Sequence, residues 1–353
     1  ALVERGHRVT LVTGIGFELV DYPRKYTALE VFDRYRPRPL RLCRFLWHCL
    51  TYRPQIIHLQ GAQHPALYIL LWAMLRLLGS ASFVYTPQDV LPNSLRPYHI
   101  RAFRFLYARM RHVFLNAKQN EPLVVEHFAV PRDRITVLPI ADLTAFVREH
   151  VAGEPPDIPA ASRVVLCFGL IEPRKGIHTL LSAAPEVLRQ VPDALLLIVG
   201  KPLMDIAPLQ RQLTDLGLQE RVRLVPQYVS FAQMAGYFTA ARLLVLPYEN
   251  GWNSGVLASA FGFGKPVIAT RVGGFDEVVS DESTGLLVPP KDPAVLAQAI
   301  VRLLRDDVLY ARMVTNVRQA AAEISWEAIA RITAARYADV VGIGADCAVS
   351  QAR

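Results

Sequence analysis

Cysteine is scarce in this sequence, and its few copies lie far apart. The 353 residues contain four cysteines, which are Cys43, Cys49, Cys167 and Cys347. No two of them form a Cys-x-x-Cys pair, and none stands at a zinc-ligand spacing from a histidine. This pattern argues against a zinc site and against a disulfide framework, and it fits a reducing compartment. We therefore expect a cytoplasmic protein.

Long apolar runs are also absent. The longest apolar helical stretch, Ala66 to Leu78, is shorter than the roughly 20 residues that span a bilayer, and it contains Arg76. It is predicted to be a core helix. The first residues, Ala1 to His7, are typical of the end of a helix. We therefore expect the first domain to lack its first strand and loop here.

Acidic residues are few in the first part of the chain. Residues 1–150 hold 20 Lys and Arg against 11 Asp and Glu, whereas the remaining residues hold 19 against 20. Much of the positive charge falls into two clusters, namely Arg34, Arg36, Arg38, Arg41 and Arg44, and then Arg101, Arg104, Arg109 and Arg111. Two interpretations are open: a solvated helix face, or peripheral contact with an anionic membrane. No nucleic-acid-binding motif accompanies the charge, so a nucleic-acid partner is not expected.

A regular alternation of short apolar strands and helices runs through the chain. Strands are predicted at 8–13, 55–59, 82–86, 112–115 and 135–138, and then at 164–168, 194–200, 222–225, 243–246, 266–269 and 285–288. This alternation predicts an α/β fold with doubly wound parallel sheets. A proline-rich stretch divides it. We expect a first domain over 1–147, a linker over 148–161, a second domain over 162–323, a last helix over 324–341 and a tail over 342–353.

The segment from Leu243 to Val279 is the most informative part of the sequence. It reads as strand, tight turn, helix, strand, turn and helix, and such turns meet at the carboxyl edge of a parallel sheet. Asn253, Ser254 and Gly255 would place backbone N–H groups at a helix N-terminus, which suits a phosphate or diphosphate. Gly273-Gly274 is a second place where the backbone could approach a ligand closely. The alternative is that these residues only cap helices and turn corners.

This segment resembles the donor-site region of the GT-B glycosyltransferases, in particular those of family 4. The matching pieces are Pro247-Tyr248, Ser254-Gly255-Val256, the run from Gly264 to Thr270, and Gly273-Gly274 with Glu277. A bacterial polysaccharide subgroup of that family is similar at the Ser-Gly-Val turn. The resemblance implies two Rossmann-like domains facing a central cleft, with the last helix, predicted over 324–341, crossing back to the first domain. It also implies transfer of a sugar, with retention of anomeric configuration, from a UDP- or GDP-linked donor.

The resemblance further implies where the donor binds. In the family a glycine loop after the first strand of the second domain carries Arg and Lys, which hold the donor diphosphate. Here that loop begins at Gly169 and keeps Lys175, but Leu170 stands at the arginine position and Arg174 is expected to supply a second charge. Val256 belongs to the Ser-Gly-Val turn. The two family glutamates that contact the sugar and the ribose are replaced by Gly251 and Ser259.

In the first domain the family often has a His-Asp pair facing the reacting sugar. Here the pair is Gln88-Asp89, so these two residues are the catalytic candidates. Gln88 can hydrogen-bond but cannot exchange a proton, and Asp89 after a proline equally suits an Asx turn. His58, at a strand end, is expected to be a satisfied core histidine.

No Asp-x-Asp motif occurs, and this argues against the metal site of the other large glycosyltransferase fold. We expect no metal and no cofactor beyond the nucleotide-sugar co-substrate. Lys175, Arg174 and helix N-termini would neutralise the leaving diphosphate.

Three hypotheses follow. The first is an active glycosyltransferase with a lipid-linked or polysaccharide acceptor, working at the inner face of the plasma membrane. The second is a catalytically degenerate relative that binds a nucleotide sugar or a protein partner, which the residues at Leu170, Ser259 and Gln88 favour. The third is another GT-B enzyme, such as an epimerase or a phosphorylase, which fits the layout but not the Gly-Lys-Pro-Val segment.

Overall fold

The computed structural model describes most of the chain. The described residues are 1–14, 25–33, 36–61, 65–79, 81–88, 90, 97–142, 145, 153, 156–159, 161–251 and 254–342. They divide into two compact units. The first unit is Ala1–Leu138 with the described residues from Glu327 onward, and the second is Pro139–Trp326. The linker predicted over 148–161 lies largely outside the described residues.

The described residues of the first unit form seven strands. They are β1 (Thr10–Gly14), β2 (Thr27–Asp33), β3 (Arg36–Pro37), β4 (Ile56–Gln60), β5 (Ser82–Thr86), β6 (His112–Leu115) and β7 (Ile135–Val137). β1 pairs with β2 in parallel and β2 with β3 antiparallel, whereas β4, β5, β6 and β7 form a parallel sheet in that order. β6 is buried along its whole length, as expected of a strand covered on both faces.

Helices of the first unit cover this parallel sheet. They are α1 (Pro39–Tyr52), α2 (Pro65–Leu78), α3 (Pro97–Tyr107) and α4 (Glu121–Phe128). Their inner faces meet a core rich in aromatic rings, in which Tyr107 stacks on Phe128 at 4.7 Å between ring centroids. α2 is a core helix, as predicted. In the described ranges, no helix combines the length and the apolar character that crossing a bilayer needs.

Where the structure describes it, the second unit consists of one continuous six-stranded sheet and its helices. The strands are β8 (Arg163–Phe168), β9 (Ala194–Val199), β10 (Val222–Val225), β11 (Leu243–Leu246), β12 (Val267–Thr270) and β13 (Gly285–Val288). The helices are α5 (Ile177–Gln190), α6 (Ala207–Asp215), α7 (Phe231–Ala240), α8 (Gly255–Gly262), α9 (Phe275–Val278), α10 (Pro293–Arg305) and α11 (Asp307–Glu323). Two apolar clusters contain alternate residues of the central strands, so both faces of the sheet are covered.

The order of these strands defines the place where a ligand would bind. All pairs are parallel, and the order is β10-β9-β8-β11-β12-β13. The chain therefore runs outward from β8 in one direction and from β11 in the other, which makes the gap between β8 and β11 a topological switch point. Ligands of open α/β sheets bind at the carboxyl ends of the strands beside such a point.

The last helix, α12 (Trp326–Val341), belongs with the first unit from Glu327 on. Its apolar residues Ile329, Ile332, Tyr337 and Val340 pack against a cluster formed by Val84, Phe114 and Leu138. The Tyr337 hydroxyl also lies 2.6 Å from Nδ1 of His58 in β4.

Most predicted strands are confirmed, and two described strands, β2 and the two-residue β3, were missed. Five of them, at 82–86, 112–115, 222–225, 243–246 and 285–288, have the predicted bounds, whereas the strand predicted at 8–13 begins only at Thr10. β2 was not predicted. Only one of its seven residues is buried, so its sequence lacks the continuous apolar run that marked the other strands.

Candidate functional site

Two loops meet at the switch point of the second unit. One follows β8 from Gly169 to Gly176, and the other follows β11, where the described residues are Pro247 to Gly251 and Ser254. Gly176 has a φ of +63°, and a Cβ there would overlap the carbonyl oxygen of Pro247. The backbone N–H of Glu249 donates to the carbonyl of Arg174 at 2.8 Å. Only glycine permits this close contact, so the two loops form one continuous edge.

Lys175 lies at the centre of this edge and is buried. It ends the short 3-10 helix Pro173–Lys175, and only 8% of its surface is exposed. Its Nζ donates to the hydroxyl of Tyr248 and lies 3.8 Å from the centroid of that ring. Burial, and secondly the charge of Arg174, lower the pKa of Lys175 to about 8. The ammonium is therefore still mostly protonated at neutral pH, in a place poor in water.

Tyr248 connects the strands on both sides of the switch point. Its hydroxyl lies 3.1 Å from Oγ of Ser254, and its carbonyl accepts a 2.6 Å hydrogen bond from Oγ1 of Thr270. Its ring packs against Phe275 with the centroids 5.1 Å apart. Burial raises the pKa of Tyr248 well above its ordinary value, so the phenol stays neutral. Residues after β8, β11 and β12 are thus joined through one side chain.

The N-terminus of α8 faces the same loop. Ser254 is the N-cap residue, but its side chain accepts no hydrogen bond from the first turn of the helix. The helix therefore begins at Gly255 and Val256 with no cap from the Ser254 side chain on its first N–H groups, a feature that suits an anion. Val256 also adjoins the glycine loop, because a Cβ on Gly169 would lie 3.3 Å from Val256 Cγ2 and 3.9 Å from Lys175 Nζ.

Arg174 and Glu249 are held by ion pairs beside this centre. Arg174 Nη2 lies 2.6 Å from Oε1 of Glu172, so its guanidinium is directed by a neighbour on its own loop. Oε1 of Glu249 lies 2.9 Å from His178 Nε2, and its Oε2 lies 3.1 Å from Lys291 Nζ. These three residues line a cavity of about 310 Å³ together with Thr179, Ser182 and Pro293.

The other residues predicted to bind the donor differ in burial and in backbone conformation. Ser259 is buried and its hydroxyl donates to the carbonyl of Gly255 at 2.8 Å, within its own helix. Gly273 has a φ of +55° and Gly274 is the N-cap of α9, which has only four residues. Asn253 lies outside the described residues. Leu170, at the family's arginine position, is exposed.

The catalytic candidates belong to the first unit. Gln88 is exposed just after β5, and Asp89 lies outside the described residues. His58 is a satisfied histidine, as expected, because its Nε2 lies 2.7 Å from Thr86 Oγ1 and its Nδ1 contacts Tyr337. Burial lowers the pKa of His58 to about 4. Within the part of the chain that the structure describes, no three His, Cys, Asp or Glu side chains are grouped to hold a metal.

Sequence reasoning missed the part that Tyr248 plays. The pair Pro247-Tyr248 was recognised only as a piece of the family pattern. Its position directly after a predicted buried strand, at the switch point, is the feature of the sequence that could have indicated a role for Tyr248 in the site. The ion pairs of Glu249 with His178 and Lys291 had no signal, since those residues lie 71 and 42 positions apart from it.

Family comparison agrees with this architecture. Residues 1–141 match the family described as "Glycosyl transferase 4-like domain", and residues 162–306 match "Glycosyl transferases group 1". The chain belongs to the group 1, family 4 glycosyltransferases, with a GT-B fold of two Rossmann-like domains.

Relatives of known description are similar over part of their length. The chain is 38% identical over 174 residues to a phosphatidyl-myo-inositol mannosyltransferase of Mycobacterium leprae, covering 49% of this chain and 45% of the relative. It is 30% identical over 236 residues to a D-inositol 3-phosphate glycosyltransferase of Corynebacterium efficiens, covering 64% and 55%. The matched region thus spans about half the length of these relatives.

Solved structures share the fold. A sucrose-phosphate synthase from Thermosynechococcus elongatus superimposes with a TM-score of 0.68 at 23% identity, over 97% of this chain and 91% of that one. Anabaena HepE, solved in complex with UDP, gives a TM-score of 0.69 at 18% identity, over 89% and 86%. At these identities the likeness establishes the fold alone.

Proposed function

We propose that this protein is a glycosyltransferase that moves a sugar from a UDP- or GDP-linked donor to an acceptor. The observation that carries the proposal is the buried Lys175 ammonium, placed at the switch point beside a glycine loop and the N-terminus of α8. A cation and a helix N-terminus at one place suit a diphosphate group. Anabaena HepE, which shares the fold, was solved with UDP.

The residues of the second unit would stabilise the departing diphosphate. As the bond between the sugar and the diphosphate breaks, negative charge grows on the diphosphate oxygens. Lys175 and the first N–H groups of α8 would neutralise that charge in a place that excludes water, where such interactions are strong. Arg174 would add a second charge after release from Glu172. We propose that this arrangement works without a metal ion or another cofactor, and that the transfer retains anomeric configuration, as in the family.

The acceptor we propose is a lipid-linked or polysaccharide glycan. The names of the relatives support the lipid-linked choice, since one is a phosphatidyl-myo-inositol mannosyltransferase. A second support is the exposed face of α1. Leu40, Arg44 and Trp47 recur at helical spacing on that face, and Leu40 and Trp47 are 88% and 68% exposed. We propose that this face contacts an anionic membrane from the cytoplasmic side.

Calorimetric titration of the whole chain with UDP and with GDP tests the donor proposal. One of the two nucleotides is expected to bind with micromolar affinity, because product nucleotides keep the diphosphate and base contacts of the donor. ADP serves as the control for binding through the diphosphate alone. A folded protein that binds neither UDP nor GDP would contradict the proposal and favour the degenerate relative.

Vesicle sedimentation tests the membrane proposal. The double variant Leu40→Ala with Trp47→Ala is expected to bind vesicles containing phosphatidylglycerol about tenfold more weakly than the wild type, since it loses apolar area that would enter the interface. Val308→Ala is the matched control, because Val308 is 82% exposed but lies in the second unit. Equal binding by wild type and double variant would rule out this face as the site of contact, and equal binding of the wild type to neutral phosphatidylcholine vesicles would rule out a preference for anionic lipid.

A further inference from the structure

Tyr248 is the residue that fixes the Lys175 ammonium in place. We propose that Tyr248 is the positioning residue of the donor site: its phenol holds the Lys175 ammonium at the switch point, with two N–H groups of that ammonium left for the diphosphate. This inference rests on the proposed function, because it names how that same site is organised. It is carried by the contacts of three side chains and by their burial.

The Tyr248 ring is itself fixed from several directions. It is 1% exposed, it packs against Phe275, and its carbonyl is held by Thr270 of β12. Because these contacts fix the position of the ring, the Lys175 side chain must adopt the conformation that reaches the ring. Lys175 meets both the oxygen and the face of the ring, since Nζ bonds to the hydroxyl and lies 3.8 Å from the centroid.

The ammonium needs such a partner in this position. Taking an ammonium out of water is unfavourable unless acceptors replace the lost hydration. The phenol oxygen accepts one of its three N–H groups, and the ring face attracts the charge. The phenol O–H can then donate to Ser254 Oγ, 3.1 Å away. That contact engages the hydroxyl of Ser254, the N-cap residue of α8, and this side chain accepts no hydrogen bond from the first turn of the helix.

The arrangement therefore prepares two anion-binding groups at once. Tyr248 holds the ammonium of one loop and the N-cap hydroxyl of the other, and no side-chain rearrangement is needed to bring the two groups together. A preorganised site of this kind does not spend binding energy on ordering its own side chains. Loss of the phenol oxygen should thus weaken donor binding even though the oxygen itself need not touch the donor.

The test compares Tyr248→Phe with Tyr107→Phe. Tyr107 is a matched control because it is also buried, lies in the first unit, and has a hydroxyl that finds no hydrogen-bond partner within the described residues. In Tyr248→Phe we expect the nucleotide that binds the wild type, UDP or GDP, to bind about tenfold more weakly. We also expect the pKa of Lys175 to be about one unit lower in this variant. The ¹³Cε chemical shift of Lys175, measured as a function of pH, reports this pKa. Tyr107→Phe should change neither quantity.

Each outcome is decisive. If Lys175 titrates in Tyr248→Phe as in the wild type, or if nucleotide binds equally well or better, the inference is wrong. If neither nucleotide binds the wild type, the proposed function fails, but the titration still decides whether the phenol holds the ammonium. Should Tyr248→Phe not fold, Ser254→Ala replaces it, since this variant removes the other partner of the phenol. It is expected to weaken binding about threefold, and unchanged binding there would overturn the inference.

Discussion

Replacing Lys175 with Ala is expected to weaken nucleoside diphosphate binding about 100-fold at pH 7. Hydrogen bonds to charged groups contribute about 1.5 to 3 kcal/mol, and a buried ammonium in contact with a diphosphate belongs to the upper part of that range. The control is Lys265→Ala. Lys265 is also partly buried and donates to the carbonyl of Thr239, but it precedes β12 and so lies at the opposite edge of the sheet. Calorimetry of both variants against wild type measures the difference.

The pH dependence of binding gives an independent check on Lys175. Its pKa is lowered to about 8, so the ammonium is charged below pH 8 and loses its proton above it. The diphosphate has already lost its last proton near pH 6. Wild-type affinity is therefore expected to be level below about pH 7 and to fall as the pH rises through 8, approaching tenfold per pH unit. Lys175→Ala should show no such fall. A wild-type affinity that is constant up to pH 10, or a fall of equal size in the variant, would show that another group binds the diphosphate.

The second large effect is expected for Gly176→Ala, which should lower the free energy of unfolding by more than about 3 kcal/mol. The added Cβ would overlap the carbonyl oxygen of Pro247, and a backbone atom cannot move aside as a side chain does. The two loops would have to separate. Because Lys175 precedes Gly176 and Tyr248 follows Pro247, we also expect nucleotide binding to be lost.

Gly217→Ala is the control that separates this overlap from backbone strain. Gly217 has the same φ of +63°, but a Cβ there would have no neighbour within 4 Å. Its substitution is expected to cost only about 1 kcal/mol, the ordinary penalty of an alanine in the left-handed region. The difference in the free energy of unfolding between the two variants is obtained from their urea midpoints, with the same m-value used for both. Equal losses of stability would mean that contact with Pro247 does not require glycine at position 176.

The overall architecture could be predicted because it depends on local pattern. Continuous apolar runs such as Leu243 to Leu246 mark strands that are buried on both faces, and helices of regular length between them imply parallel pairing. β2 escaped this reasoning because most of its residues are only partly buried. The motifs of the resemblance to family 4 fall in the loops at the strand ends that border the switch point, and their role in donor binding stays a prediction.

The environment of each site residue could not be predicted in the same way. A lysine at the start of a helix is usually exposed, yet Lys175 is buried because Tyr248, 73 positions later, covers it. Ser259 is bonded within its own helix, which depends on the direction of one hydroxyl. Such properties arise from contacts between distant parts of the chain, and a single sequence records the residues but not their partners.

The position of α12 has a consequence for the order in which the chain folds. The first unit is discontinuous in sequence, and the contact between His58 and Tyr337 closes a loop of 279 residues. Such a closure carries a large entropic cost and slows folding. During synthesis, every strand of the second unit leaves the ribosome before α12 does. The second unit can therefore form its core before α12 packs against Val84, Phe114 and Leu138. Until then this apolar cluster is exposed, and such a surface is a natural target of a chaperone.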